Sequence, residues 1–237
     1  MRGGRLIKKM YKYILEFIKE KYEIIKKRKR VLRIKDYSLY FILNKEKIYN
    51  NFLFDSLNFI AKLCRIDSIK SHELLVNINT YLKSIMNNNE GIIKLNEEIS
   101  LLKIYFSIAS IIYSNDINLY INLPSDIINM YIPFLIFQPL VENSIKHGIS
   151  PKLIGGDIYI NAQENEDFVE FIIKDTGVGM TREEYEKVLK MESGFGLKIT
   201  RERLKRLYGE NTYFKIESSI EEGTIVYFKI PKEVYDV

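Results

Sequence analysis

Between residues 138 and 148 the chain reads Gln138-Pro139-Leu140-Val141-Glu142-Asn143-Ser144-Ile145-Lys146-His147-Gly148. If this stretch is helical, Asn143, Lys146 and His147 stand three and four positions apart and share a face, so that an amide, an ammonium and an imidazole converge on one ligand. An amide oxygen is a hard ligand suited to Mg²⁺, and the cations suit phosphate. Three glycine-bearing signatures follow. In Asp175-Thr176-Gly177-Val178-Gly179, directly after an apolar run, the carboxylate can accept hydrogen bonds from an exocyclic amine, and the glycines let backbone lie close to a planar ring. Gly194-Phe195-Gly196-Leu197 opens a helical pattern, whose first N–H groups and dipole favour phosphate oxygens. Gly223-Thr224 begins the last strand-like segment. Each alone is an ordinary turn motif; their value lies in the order and in their placement at element edges.

The elements that must position these residues are legible in the hydrophobic pattern. Period-two alternation over 118–123, 157–163, 168–174, 213–218 and 224–230 predicts strands, with helices over 131–147, 182–190 and 196–208 between them. Strands and helices in this order suggest a two-layer α/β sandwich with helices on one face of a mixed sheet. The first half reads differently. Residues 37–86 contain neither Pro nor Gly and keep a helical period with a break at 67–71, which predicts a helical hairpin. A polar run at 87–91 ends it. A third helix over 96–113 opens on Glu97 and Glu98, where the helix dipole favours negative charge.

Residues 1–35 hold 14 Lys and Arg against three Glu, while the remainder carries 22 basic and 28 acidic residues. Within 6–34, Met10, Phe17, Ile24 and Val31 recur every seven positions, giving one apolar stripe on a basic connecting helix. Such a run suits a solvated helix face or an anionic membrane surface, and no nucleic acid is expected. No apolar stretch is long enough to span a bilayer. The single cysteine, Cys64, excludes an internal disulfide and a cysteine metal cage; it is expected in the core, and a cytoplasmic location fits.

The order of the four signatures resembles the N, G1, G2 and closing Gly-Thr boxes of the Bergerat-fold (GHKL) ATPases, which include DNA gyrase, mismatch-repair ATPases and histidine kinases. Within that superfamily, 138–148 is similar to the LytS/YesM-type sensor histidine kinases, and the likeness runs from about Asn44 onward. The resemblance implies ATP and Mg²⁺ as cofactors, with Asn143 on the metal and Asp175 on the adenine amino group. It places Gly177 and Gly179 under the base, Gly194, Gly196 and Leu197 at a phosphate lid, and Thr224 near adenine. Lys146 and His147 fall toward the phosphates, and Glu142 and His147 are the candidate catalytic side chains. Gyrase-like relatives carry a water-activating glutamate where this chain has Pro139, which implies slow hydrolysis.

The acceptor motif of that family reads roughly Gln-Ile-Asn-Pro-His-Phe-Leu-Phe-Asn-Ala-Leu-Asn. Here Lys47-Ile48-Tyr49-Asn50-Asn51-Phe52-Leu53-Phe54-Asp55-Ser56-Leu57-Asn58 stands in the same register and puts Asn51 at the histidine. An amide nitrogen is no useful phosphoryl nucleophile, because its lone pair is delocalised. The other histidine of the first half, His72, has no acceptor-like surroundings and reads as an exposed structural residue.

The expected protein is therefore α+β. A basic connecting helix (1–36) and a helical dimerisation region (37–116) precede a Bergerat ATPase domain (117–237). Its expected function is that of the ATP-binding module of a two-component sensor kinase, defective in self-phosphorylation at Asn51. The alternatives are a non-catalytic regulatory pseudokinase that partners another kinase, and a kinase remnant. A homodimer or heterodimer through the helices is expected, with a response regulator as a further partner.

Overall fold

The computed structural model describes residues 33–38, 40–41, 46–88, 90–113, 116–152, 154–190, 194–209 and 212–232, with 46–51 and 195 in backbone only. The basic helix expected over 6–34 lies almost entirely outside the described residues. Two helices, α1 (Glu46–Leu63) and α2 (Ser68–Asn87), follow in a hairpin. The break falls at 64–67, slightly earlier than the spacing suggested. Asp67 is the N-cap of α2, its carboxylate accepting from the Lys70 N–H at 2.9 Å, so the helix restarts at Ser68. Cys64, expected in the core, is exposed because it falls in this turn rather than on the buried stripe of either helix.

Along α2, Leu74, Ile78, Tyr81 and Ile85 recur at alternating four- and three-residue spacing and are buried. The hairpin packs on the helix that follows a short strand, β1 (Ile92–Lys94), namely α3 (Leu95–Tyr113). Phe52 of α1, Tyr81 of α2 and Tyr105 of α3 meet there with ring centroids 4.6 to 6.2 Å apart.

Beyond α3 come β2 (Ile117–Asn122) and β3 (Tyr131–Pro133). β3 pairs antiparallel with β1, Ile92 opposite Pro133. This corrects the helix expected over 131–147: its first three residues are strand, 134–137 is a turn, and α4 (Gln138–Asn143) begins only afterwards. Pro133 offers no N–H to a helix ladder, β1 supplies the strand's partners, and Leu135 sits at φ 54° in the left-handed region that interrupts a helix. Pro139 is tolerated because it lies in the first turn of α4.

Four further strands, β4 (Gly156–Glu164), β5 (Phe168–Asp175), β6 (Phe214–Ser219) and β7 (Gly223–Pro231), join β2 in the order β2-β4-β5-β7-β6. β2 and β4 run parallel and the other neighbours antiparallel, giving the mixed sheet. Inward rows match across strands: Val169 faces Ile230, Phe171 faces Phe228 and Ile173 faces Val226, all buried. Phe137, just before α4, packs edge-on against Phe171 at 5.3 Å. Truncating one such aromatic would cost about 3–5 kcal/mol. Two more helices, α5 (Arg182–Leu189) and α6 (Phe195–Tyr208), complete the α+β fold and its two-layer sandwich.

Candidate functional site

A cavity of about 610 Å³ opens between α4, the end of β5, the start of β7 and the N-terminus of α6. Asp175, the last residue of β5, lies in its wall and is only 3% exposed. Its Oδ1 accepts from the Gly177 N–H at 2.9 Å and the Thr224 N–H at 3.1 Å, and its Oδ2 accepts from the Ser144 hydroxyl at 2.9 Å. Burial pushes the carboxyl above its ordinary pKa, while these donors and the Lys152 charge oppose the shift. Lys152 in turn donates to the Thr176 carbonyl at 2.5 Å, which steadies the turn after the strand.

The glycines of this turn are there for close approach. A Cβ on Gly177 would stand 2.4 Å from the Cα of Gly148, and the neighbouring Val178 N–H bonds the Gly148 carbonyl at 2.8 Å. Gly179 adopts φ 69°, and a Cβ there would lie 1.8 Å from the Ser219 carbonyl oxygen. The backbone of the cavity floor is thereby pressed against both α4 and the β6–β7 turn.

α4 does not simply continue to His147. From Ser144 to Ile149 it widens into a π turn, closed by the Ser150 N–H on the Ile145 carbonyl at 2.8 Å. A widened turn brings position i+4 back over position i and swings i+3 aside. Asn143 and His147 accordingly both line the cavity, whereas Lys146 and Glu142 do not. The Lys146 ammonium pairs with Glu142 at 2.8 Å and with Asp55 of α1 at 3.2 Å, over the Tyr113 ring. Partial burial lowers the pKa of Lys146, and Glu142 and Tyr113 more than offset this, leaving it raised. The expected convergence of Asn143, Lys146 and His147 is thus corrected: two of the three meet at the cavity.

Gly194 caps α6 at φ 74° and, with the buried Leu197, lines the cavity. Gly196 instead faces α4, where a Cβ would stand 2.8 Å from the Asn143 amide nitrogen and 2.9 Å from the Pro139 carbonyl. That amide nitrogen is buried without a hydrogen-bond partner. Thr224 contributes its N–H to Asp175 and lines the cavity. Nothing is described of the Asn51 side chain, and His72 is exposed.

Sequence reasoning missed Ser144, although it lies inside the quoted 138–148 stretch. It also missed the clamp behind α4. Glu98, expected only as a dipole partner, is buried, and its carboxylate accepts from the N–H groups of Leu135 and Phe137 at 2.8 and 3.4 Å. Arg203 of α6, also buried, donates to the carbonyls of Leu135, at 2.9 Å, and Phe134, and to the Tyr37 hydroxyl. These two residues fix the turn from which α4 starts.

Residues 132–234 match the family model of the histidine kinase-, DNA gyrase B- and HSP90-like ATPases, and residues 41–117 match the histidine kinase model. The chain is 30% identical over 195 residues to the sensor protein LytS of Bacillus anthracis, covering 79% of this chain and 33% of that protein. It is 31% identical over 191 residues to the sensor histidine kinase/phosphatase LytS of Staphylococcus aureus strain MRSA252, covering 77% and 32%. The chain therefore spans about a third of the length of these relatives. Among solved structures, the blue-light activated histidine kinase of Erythrobacter litoralis aligns at 16% identity with a TM-score of 0.47, over 86% of this chain and 58% of that one. The chain belongs to the histidine kinases of the LytS type, and comprises their histidine-kinase region and the ATPase region that follows it.

Proposed function

We propose that the cavity binds Mg·ATP, with adenine against Asp175, and that the chain is the catalytic module of a two-component sensor histidine kinase. The observation that carries this reading is the state of the Asp175 carboxylate. It has about four acceptor positions, of which three are filled from within the protein, so one remains for an exocyclic amine. Leu140, Ile173, Met180 and Val226 supply apolar walls for a flat base. Gly177 and Gly179 shape the floor beneath it, and Thr224 closes the far side.

The phosphate end fits a nucleotide that brings its own counterion. Among the described residues no Lys or Arg lines the cavity, and no cluster of three His, Cys, Asp or Glu could hold a metal unaided. Asn143, whose amide already borders the cavity, would offer Mg²⁺ one oxygen ligand and leave the rest to phosphate and water. The N–H groups at the start of α6, behind Gly194, and the His147 imidazole are the remaining partners for phosphate.

Residues 1–36, 37–116 and 117–237 serve as connecting, dimerising and ATP-binding parts. Exposed Phe54, Leu57, Ile69 and Val76 on the hairpin support a homodimer or heterodimer through these helices. A response regulator is the expected downstream partner. Among the described residues no helix is long and apolar enough to cross a membrane. Asn51 at the acceptor position favours a second reading, a regulatory pseudokinase that binds ATP without phosphorylating itself.

Isothermal calorimetry with Mg·ATP tests the binding, and absence of heat at millimolar nucleotide would overturn it. Acid-labile, alkali-stable phosphate on wild type and on Asn51→His then tests the acceptor. We expect none on wild type; labelling of wild type mapped to His72 or His147 would sink the assignment of Asn51.

A further inference from the structure

We propose that Lys146 is a positioning residue rather than a nucleotide ligand: it fastens α4 to α1 through Asp55 and holds the cavity turned away from the face of α1 that carries position 51. The inference rests on the ATP reading of the cavity for its functional meaning.

Three observations carry it. First, the π turn separates Lys146 from its neighbours. Asn143, Ser144 and His147 line the cavity, and Lys146 points to the opposite side of the helix. Second, every described contact of its ammonium lies on that opposite side: Glu142 at 2.8 Å, Asp55 at 3.2 Å, and the Tyr113 ring centroid at 5.9 Å. Two carboxylates share this one ammonium. Glu142 is on its own helix and holds the side chain in place, so Asp55 is the carboxylate that makes the connection between elements.

Third, Asp55 follows position 51 by four residues within α1, so the two positions lie on one helix face. The bridge therefore brings the outer side of the ATP-site helix to the face where the acceptor stands in related kinases. Among the described residues none from α1, α2 or α3 lines the cavity. Phosphoryl transfer to this face needs the ATPase unit to turn, and the Lys146–Asp55 contact must open for it to do so. The side chains are 24% and 48% exposed, which places the bridge in the weak class that opens readily.

The test uses the full chain with Asp55→Asn, Lys146→Met and the double variant, read by amide hydrogen exchange and by Mg·ATP calorimetry. Exchange in the 52–58 segment of α1 should quicken about two- to fivefold in each single variant, the size expected for a partly exposed pair. The double variant should exchange no faster than the singles, because all three lack the same interaction. The dissociation constant for Mg·ATP should stay within about twofold in both single variants. A loss of tenfold or more in Lys146→Met with unchanged α1 exchange would overturn the proposal and return Lys146 to the phosphates. Unchanged exchange in Asp55→Asn would overturn it as well. No ATP heat in wild type, with the exchange pattern as expected, would sink the nucleotide reading and still support the contact.

Discussion

Arg203 and Glu98 grip opposite sides of one turn. The guanidinium of Arg203, on α6, donates to the carbonyls of Phe134 and Leu135, while the carboxylate of Glu98, on α3, accepts from the N–H groups of Leu135 and Phe137. Tyr37 adds its hydroxyl beneath the guanidinium, accepting from Nε at 3.0 Å and Nη2 at 2.7 Å. The helix that opens at Gly194 is thus tied, through a single turn, to α3 and to the helical residues around 37.

Replacing Arg203 by Met removes the cation, strands two carbonyls and leaves Glu98 without its charge partner. We expect a loss of about 3–5 kcal/mol, the scale for breaking a buried pair. The loss should be larger at pH 8 than at pH 5, where the carboxyl can neutralise itself. Urea unfolding of Arg203→Met, Glu98→Gln and the double variant checks this. Strict additivity of the two single losses would show that the residues act separately.

Glu98 also sets a pH dependence. Burial raises its carboxyl to about 7, against the pull of the Leu135 and Phe137 N–H groups and of Arg203. Below pH about 4.5 the group is protonated in both folded and unfolded chains. Between about 4.5 and 7 the folded chain keeps a proton that the unfolded chain has released, so stability falls as pH rises through that window and levels off above it. The contribution is on the order of 3 kcal/mol. Glu98→Gln should flatten the difference between urea midpoints at pH 5 and pH 8; an unchanged difference would assign the slope to other groups.

Asp175→Asn replaces an acceptor pair by one acceptor and one donor. The Ser144 hydroxyl can turn to serve either, but the N–H groups of Gly177 and Thr224 cannot. Affinity for Mg·ATP should drop by roughly 1.5–3 kcal/mol, the scale of a charged hydrogen bond. Calorimetry against wild type measures it, and equal affinity would move the base elsewhere in the cavity.

Gly179→Ala puts a methyl group 1.8 Å from the Ser219 carbonyl oxygen at a φ of 69°. Left-handed backbone alone costs about 1–2 kcal/mol for a residue with a Cβ, and the clash adds to it. A thermal melt should show the loss directly, and ATP binding should weaken because the cavity floor must shift. A melting temperature within a degree of wild type would mean that this turn relaxes freely.

Much of this was legible in the sequence. The sheet strands announced themselves by period-two rows such as Val169, Phe171 and Ile173, which burial on one face requires. Asp175, Gly177, Gly179 and Thr224 stood at strand ends, where short-range rules apply. What escaped was set at long range. The charge of Glu98 looked like a partner for its own helix dipole, since nothing nearby reveals that Leu135 will turn left-handed 37 residues on. The helix over 131–147 failed at its start for the same reason: β1, distant in sequence, recruits 131–133 as a strand. Lys146 was misplaced because residue spacing on an assumed α-helix carries no sign of a π turn.

That π turn amounts to an α-helix holding one residue too many. Removing a residue from 144–149 would restore ordinary winding and rotate everything after it by about 100°. The Gly148 carbonyl would then miss the Val178 N–H, although each residue before the deletion kept its place against the helical hairpin. The extra residue therefore sets the phase between two halves of one helix, the first keyed to the hairpin and the second keyed to the sheet.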